Sequence, residues 1–216
     1  MIKAVFFDFD GVLFDSETWI TEIEKRFFID SGALNFDDND LYESVGGNKN
    51  MKLWHNIFVK NKQLFNNDYE FMIQKMKEYK SDYMNQDFNE LLFPGVRPIL
   101  DYLSDKNYYL AVASSSNKEY LIKHLEECNL LRYFSFVLSG YDFKRSKPYP
   151  DIYLKCLEKL NLSHKEAVVV EDSFYGISSA KNARIFTYAI KDTKFGINQS
   201  NADVIIDDIS KLKLYL

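Results

Sequence analysis

The sequence predicts an α/β fold: a doubly wound parallel sheet whose chain is interrupted, after the first strand, by a block of helices. Three features carry that prediction. Short apolar runs recur as "KAVFFDF", "YYLAVAS", "FSFVLS", "AVVVED", "RIFTYAI" and "ADVIID", nearly continuous rather than alternating. Such runs suit strands covered on both faces. Beyond about residue 92 they alternate with helical segments, which implies right-handed crossovers. Between residues 15 and 90 no such run occurs.

The elements follow in order. "KAVFFDF" is the first strand and runs straight into acids. "SETWITEIEKRFFIDSG", "MKLWHNIFVKNKQLF" and "YEFMIQKMKEYKSDYMNQ" are amphipathic and helical, and "LLFPGV" returns the chain to the strand–helix pattern. "NKEYLIKHLEECNL" sets Tyr120, Leu121, His124, Leu125 and Cys128 near one helix face. "PDIYLKCLEKLNL" does the same with Ile152, Leu154, Leu157 and Leu160, and Pro150 stands at its start, where a missing N–H costs nothing. The expectation is a Rossmann-like core over 1–14 and 91–216, with an inserted α-helical cap domain over 15–90.

Bulk properties narrow the function. The 216 residues permit one large domain or two small ones. A net charge of −5 without a basic stripe argues against a nucleic-acid partner. No segment is long and apolar enough to span a membrane, and "MIKAVFFDFDG" is not a signal peptide. Cys128 and Cys156 lack C-x-x-C spacing and read as buried free thiols in a reducing compartment. His55, His124 and His164 show no metal spacing. A cytoplasmic, monomeric protein is expected.

Doubly wound sheets bind ligands beyond the carboxyl ends of their strands. The first strand ends at Asp8-Phe9-Asp10-Gly11, the second at Ala113-Ser114-Ser115-Ser116, and "AVVVED" at Glu171-Asp172. The loop "FKRSKPYPD" offers Lys147, braced by Pro148 and Pro150. Clustered carboxylates repel and call for a hard, oxygen-seeking cation; Mg²⁺ fits. A carboxylate attacking a phosphate dianion meets repulsion of about 4 kcal/mol at about 4 Å and an effective dielectric of about 20. Mg²⁺ and the Lys147 ammonium would offset it. A serine hydroxyl and backbone amides would cradle the transferring oxygens, and Gly11 allows close backbone approach.

These residues fall into four ordered motifs: "DFDGVLFDSE" from Asp8, Ser114 in "VASSSN", Lys147 in "SKPYPD", and "EDSFYGI" with Glu171 and Asp172. On them the chain resembles the haloacid dehalogenase superfamily, in its phosphatase and β-phosphoglucomutase-like branch, over nearly its whole length. The resemblance implies that Asp8 is the nucleophile that forms an aspartyl-phosphate, and that Asp10 is the general acid and base. Asp8, Asp10 through its carbonyl, Glu171 and Asp172 would be the metal ligands. Gly11, Ser114, Ser115 and Lys147 would receive the phosphoryl group, although Ser115 and Ser116 also suit turn and cap positions. One departure is Arg184, which stands where the family usually has glycine after the helix of the fourth motif.

The cap decides the reaction. In a β-phosphoglucomutase-like pattern a histidine lies shortly beyond the first motif, with a lysine and an arginine around a small cap loop. Here Ile20 stands at the histidine position, and the loop "SVGGNKNM" has Val45 and Lys49 at the basic positions. Lysine in place of arginine loses bidentate phosphate binding. Gly46, Gly47 and Lys49 are the candidate substrate contacts, with Trp19 as either a contact or a packing residue. The expected activity is therefore a Mg²⁺-dependent phosphatase for a small phosphorylated metabolite, with a sugar phosphate foremost. The alternatives are a phosphosugar mutase and, more remotely, a non-catalytic phospho-acceptor domain.

Overall fold

A computed structural model of the protein describes residues 1–33, 36, 51–83 and 86–216, with the backbone alone given for 51–53. Each expected apolar run forms a strand: β1 (Ala4–Phe7), β2 (Tyr109–Ser114), β3 (Phe136–Ser139), β4 (Ala167–Glu171), β5 (Phe186–Ile190) and β6 (Val204–Ile206). They make one parallel sheet in the order β3-β2-β1-β4-β5-β6.

The described helices are α1 (Ser16–Asp30), α2 (Met51–Asn61), α3 (Tyr69–Ser81), α4 (Phe88–Leu91), α5 (Val96–Asp105), α6 (Lys118–Glu127), α7 (Asp151–Leu160) and α8 (Phe174–Asn182). The described residues form two compact units: Met1–Asp15, Phe88–Thr193 and Ile197–Leu216 make the α/β unit, and Ser16–Asp87 with Lys194–Gly196 the helical one. The return to the α/β unit thus falls at Phe88 rather than at residue 91. Phe88 is fully buried in the α/β core and stacks face to face on His124, with ring centroids 3.4 Å apart.

Strand periodicity sorts the α/β core into two layers. Val5, Phe7, Val112, Val168 and Val170 pack with Val96, Ile99 and Leu100 of α5 and with Leu121 and Leu125 of α6. Ala4, Phe6, Ala111, Ala113, Ala167 and Val169 face Ile152, Tyr153 and Cys156 of α7 and Ala180 of α8. Both faces of the sheet are covered, so the strands read as continuous apolar runs. The expected face of α6 is buried, apart from a half-buried Tyr120. On α7 Ile152 and Leu157 are buried as expected and Leu160 is half-buried, but Leu154 is 48% exposed, and Tyr153 and Cys156 complete the buried face instead. A polar tip on Tyr153 disguised the buried stripe.

Four helices of this unit leave through a left-handed residue: Asn107, Asn129, Asn161 and Arg184 have φ of 60°, 54°, 53° and 60°. After each, the next amide reaches back to the last helical turn, as Ile185 N does to the Ala180 carbonyl at 3.1 Å. Asparagine tolerates this conformation and arginine does so less well.

The helical unit has its own core of Phe27, Phe28, Ile57, Phe58, Phe65, Met72 and Met76, with Trp54 packed against it. Phe27 stacks on Phe65 at 5.9 Å and meets Tyr79 edge-on at 5.6 Å. Asp68 caps α3, accepting from the amides of Glu70 and Phe71 at 2.9 and 3.2 Å. Glu24 is buried and ion-paired with Lys80, whose ammonium also lies over the Trp54 ring at 5.1 Å.

Candidate active site

The winding of the chain reverses at β1, which lies between β2 and β4. Such a reversal opens a crevice outside the carboxyl ends of the strands. Phe7 is level with Val112 and Val170, so the residues following these positions share one edge. The Asp8 amide extends the ladder by donating to the Val170 carbonyl at 3.0 Å.

Lys147 reaches this edge from the loop before α7. Its ammonium donates to Asp8 Oδ1 at 2.9 Å, Glu171 Oε1 at 2.6 Å and the Ala113 carbonyl at 2.9 Å. Its three N–H donors therefore have three acceptors. Burial acts to lower the Lys147 pKa, but the Asp8 and Glu171 carboxylates outweigh it and raise it. The Asp8 carboxyl is pushed up to about 7: burial raises it, Lys147 opposes, and Glu171 and Asp10 add to the rise.

Glu171 is fully buried, and both its oxygens are engaged. Oε1 accepts from Lys147 and from the Tyr153 hydroxyl, the latter at 2.8 Å. Oε2 accepts from Ser173 Oγ at 3.1 Å and from the Asp172 amide at 3.2 Å. Helix α8 passes directly over this carboxylate: a Cβ on Gly176 would lie 1.9 Å from Glu171 Cδ.

Carboxylate oxygens of Asp8, Glu171 and Asp172 lie within 4.8 Å of one another. A donor set made only of carboxylate oxygen suits a hard divalent cation. Gly11 makes room for the Asp172 carboxylate: at φ 74°, a Cβ there would meet Asp172 Oδ2 at 2.0 Å. Gly11 thus lets Asp172 lie against the first loop. The residues present fit a divalent cation.

Asp10 is oriented from across the chain, with Oδ2 accepting from Ser116 Oγ at 2.7 Å. The Ser116 amide donates to Ser114 Oγ at 3.1 Å, and the Ser116 carbonyl accepts from buried Ser139 Oγ at 2.7 Å. Ser114 is buried and Ser115 is exposed at the same turn. Trp19 lies half-buried in α1 of the helical unit, whereas Val45, Gly46, Gly47 and Lys49 lie outside the described residues.

Tyr153, Ser173, Gly176 and the Ser116–Asp10 bond were not singled out by sequence. Ser173 and Gly176 sit inside "EDSFYGI", so proximity to Glu171 was a signal. Tyr153 carried none beyond its place six residues after Lys147.

The fold and this edge define a class, a Rossmann-like α/β core with an acidic, lysine-bearing site at its strand ends. The chain matches the haloacid dehalogenase-like hydrolase family over residues 5–190 and belongs to it. It is 31% identical to a phosphorylated carbohydrates phosphatase of Thermotoga maritima, covering 85% of this chain and 82% of that one. It is 26% identical to a β-phosphoglucomutase of Bacillus subtilis, over 100% of this chain and 93% of the relative. The crystal structure of a predicted phosphoglycolate phosphatase from Haemophilus somnus shares the fold, with a TM-score of 0.82 at 21% identity, covering 100% and 98% of the two chains. The protein is an enzyme of this hydrolase family.

Proposed function

We propose that the protein is a Mg²⁺-dependent phosphatase that hydrolyses a small phosphorylated metabolite, foremost a sugar phosphate, through an aspartyl-phosphate. The observation that carries this reading is the Lys147–Asp8 pair inside a three-carboxylate cluster at the strand ends. A solvated acidic patch needs no buried lysine at its centre, whereas attack by a carboxylate on a phosphoryl dianion does.

Asp8 is the nucleophile. Its oxygen bonds to phosphorus as the bond between phosphorus and the leaving oxygen breaks. Asp10 protonates that oxygen, then takes a proton from the water that cleaves the acyl-phosphate. Ser116, bonded to Asp10 Oδ2, orients the acid. Ser114 Oγ already accepts the Ser116 amide, which leaves its own proton for a phosphoryl oxygen. Lys147 offsets the charge on the phosphoryl group. Asp8, Asp172, Glu171 and the Asp10 carbonyl would hold a Mg²⁺, which would supply further charge neutralisation at those oxygens.

A β-phosphoglucomutase among the relatives supports a second reading, phosphosugar interconversion. Ile20 and Val45 favour hydrolysis, because a mutase must keep Asp10 from activating water until a sugar is bound. The test supplies β-glucose 1-phosphate with a bisphosphate primer and measures free phosphate and glucose 6-phosphate together. Phosphate should predominate. Faster formation of glucose 6-phosphate would replace this reading with the mutase. A wider screen of phosphorylated metabolites for phosphate release identifies the substrate.

A further inference from the structure

The geometry points to Tyr153 as a positioning residue: its hydroxyl shares Glu171 Oε1 with Lys147 and so keeps the Lys147 ammonium on Asp8. This inference rests on the phosphoryl-transfer reading above. Tyr153 is fully buried on the first turn of α7, where an apolar side chain would fill the same space without a polar group to satisfy. Its hydroxyl donates to Glu171 Oε1 at 2.8 Å, the same oxygen that Lys147 reaches at 2.6 Å. Its ring stands 5.2 Å from the Lys147 ammonium, within cation–π range.

Lys147 is held between two carboxylates. Its bond to Glu171 is the shorter, 2.6 Å against 2.9 Å to Asp8. Left alone with Lys147, Glu171 Oε1 would direct all its charge at that ammonium and draw it off Asp8. The Tyr153 hydroxyl takes part of that charge, and the Ser173 hydroxyl and the Asp172 amide hold the other oxygen. Lys147 then retains its field at Asp8, where the phosphoryl charge develops. The ring adds attraction to an ammonium whose three N–H donors already have acceptors.

Tyr153→Phe removes the hydroxyl and keeps the ring, the packing and the cation–π contact. The expected result is a fall in kcat of roughly tenfold with KM changed less than about twofold, the pattern of an interaction used in the transition state. In a Glu171→Gln background the same change should cost less than about twofold, because the shared charge is gone. A role confined to stability would lower Tm and leave these ratios additive, which would overturn the inference. A readout independent of turnover is the side-chain ammonium signal of Lys147 in ¹⁵N-lysine-labelled protein, assigned by its loss in Lys147→Arg. Tyr153→Phe should shift it, and an unmoved signal overturns the inference even if kcat falls. A shifted signal with unchanged kcat in an active enzyme overturns it too. If the wild-type protein releases no phosphate from any phosphomonoester, the phosphatase reading fails by itself, and the ammonium signal still decides whether Tyr153 positions Lys147.

Discussion

Gly176→Ala should destabilise the α/β unit even though it puts the best helix former inside a helix. On propensity alone, alanine for glycine gains at most about 1 kcal/mol, the value for a helix interior, at this first-turn position of α8. Here the new Cβ would lie 1.9 Å from both Cδ and Oε1 of Glu171 and 2.0 Å from Oε2, so helix and carboxylate cannot both stay. Glu171 is fully buried and anchors Lys147, Tyr153 and Ser173. Separating a buried charge from its partners costs about 3–5 kcal/mol. The clash therefore outweighs propensity, with a net loss of roughly 2–4 kcal/mol. At about 2–4 °C per kcal/mol for a chain of this size, Tm should fall by roughly 5–15 °C. Circular dichroism melting of the wild-type and Gly176→Ala proteins measures it. A second pair isolates the cause: in a Glu171→Ala background the carboxylate is gone, and adding Gly176→Ala should be neutral or stabilising. A Gly176→Ala protein that melts at or above the wild-type temperature would refute the reasoning.

The remaining predictions concern the chemistry and two helix features. Asp8→Asn should retain the fold by circular dichroism and lose phosphate release, because an amide forms no acyl-phosphate; substantial turnover by a folded variant would sink the nucleophile assignment. Phosphate release should stop in chelator and return with Mg²⁺, while Ca²⁺, with its looser and larger oxygen shell, should inhibit; full activity in chelator would give the acids another purpose. Arg184→Gly relieves a left-handed arginine, a strain of about 1–2 kcal/mol, against about 0.4–1 kcal/mol of added unfolded-state entropy, and should raise stability by roughly 0.5–1 kcal/mol in urea unfolding. Burial between Phe88 and Tyr120 lowers the His124 pKa despite the opposing Glu127 hydrogen bond. The unfolded chain then takes up a proton that the folded one resists, so the His124 contribution to stability should decline as pH falls below about 6.5, against the opposite contribution of the raised Asp8 carboxyl. His124→Phe should remove that loss, so the wild-type Tm should fall relative to the variant's between neutral and mildly acidic pH, and a difference that does not change with pH would refute this.

Much of the site is written locally. Asp8, Ser114 and Glu171 each stand at the end of an apolar run, and a parallel sheet brings such ends to one edge whatever its sequence separation. That is why the acids, the hydroxyl and the lysine read as one site from the residues alone. The strands were equally legible, because burial on both faces leaves a continuous apolar signal. The place of Tyr153 rather than Leu154 on the buried face of α7 was not: a pattern search counts Leu154 as apolar and Tyr153 as ambiguous, whereas the buried Glu171 carboxylate makes a buried phenol favourable.

The sequence by itself determined the order of strands and helices, the insertion after the first strand, and the residue types available for chemistry. These follow from periodicity and from which residues can end a strand. Only the tertiary structure decided how those groups are partnered. The Ser116–Asp10 bond spans 106 positions and the Lys147–Asp8 bond 139, distances over which pattern carries no register. The two close glycines, Gly11 against Asp172 and Gly176 against Glu171, exist because a packed interior leaves no space for one more carbon, a constraint of volume that a linear sequence does not contain.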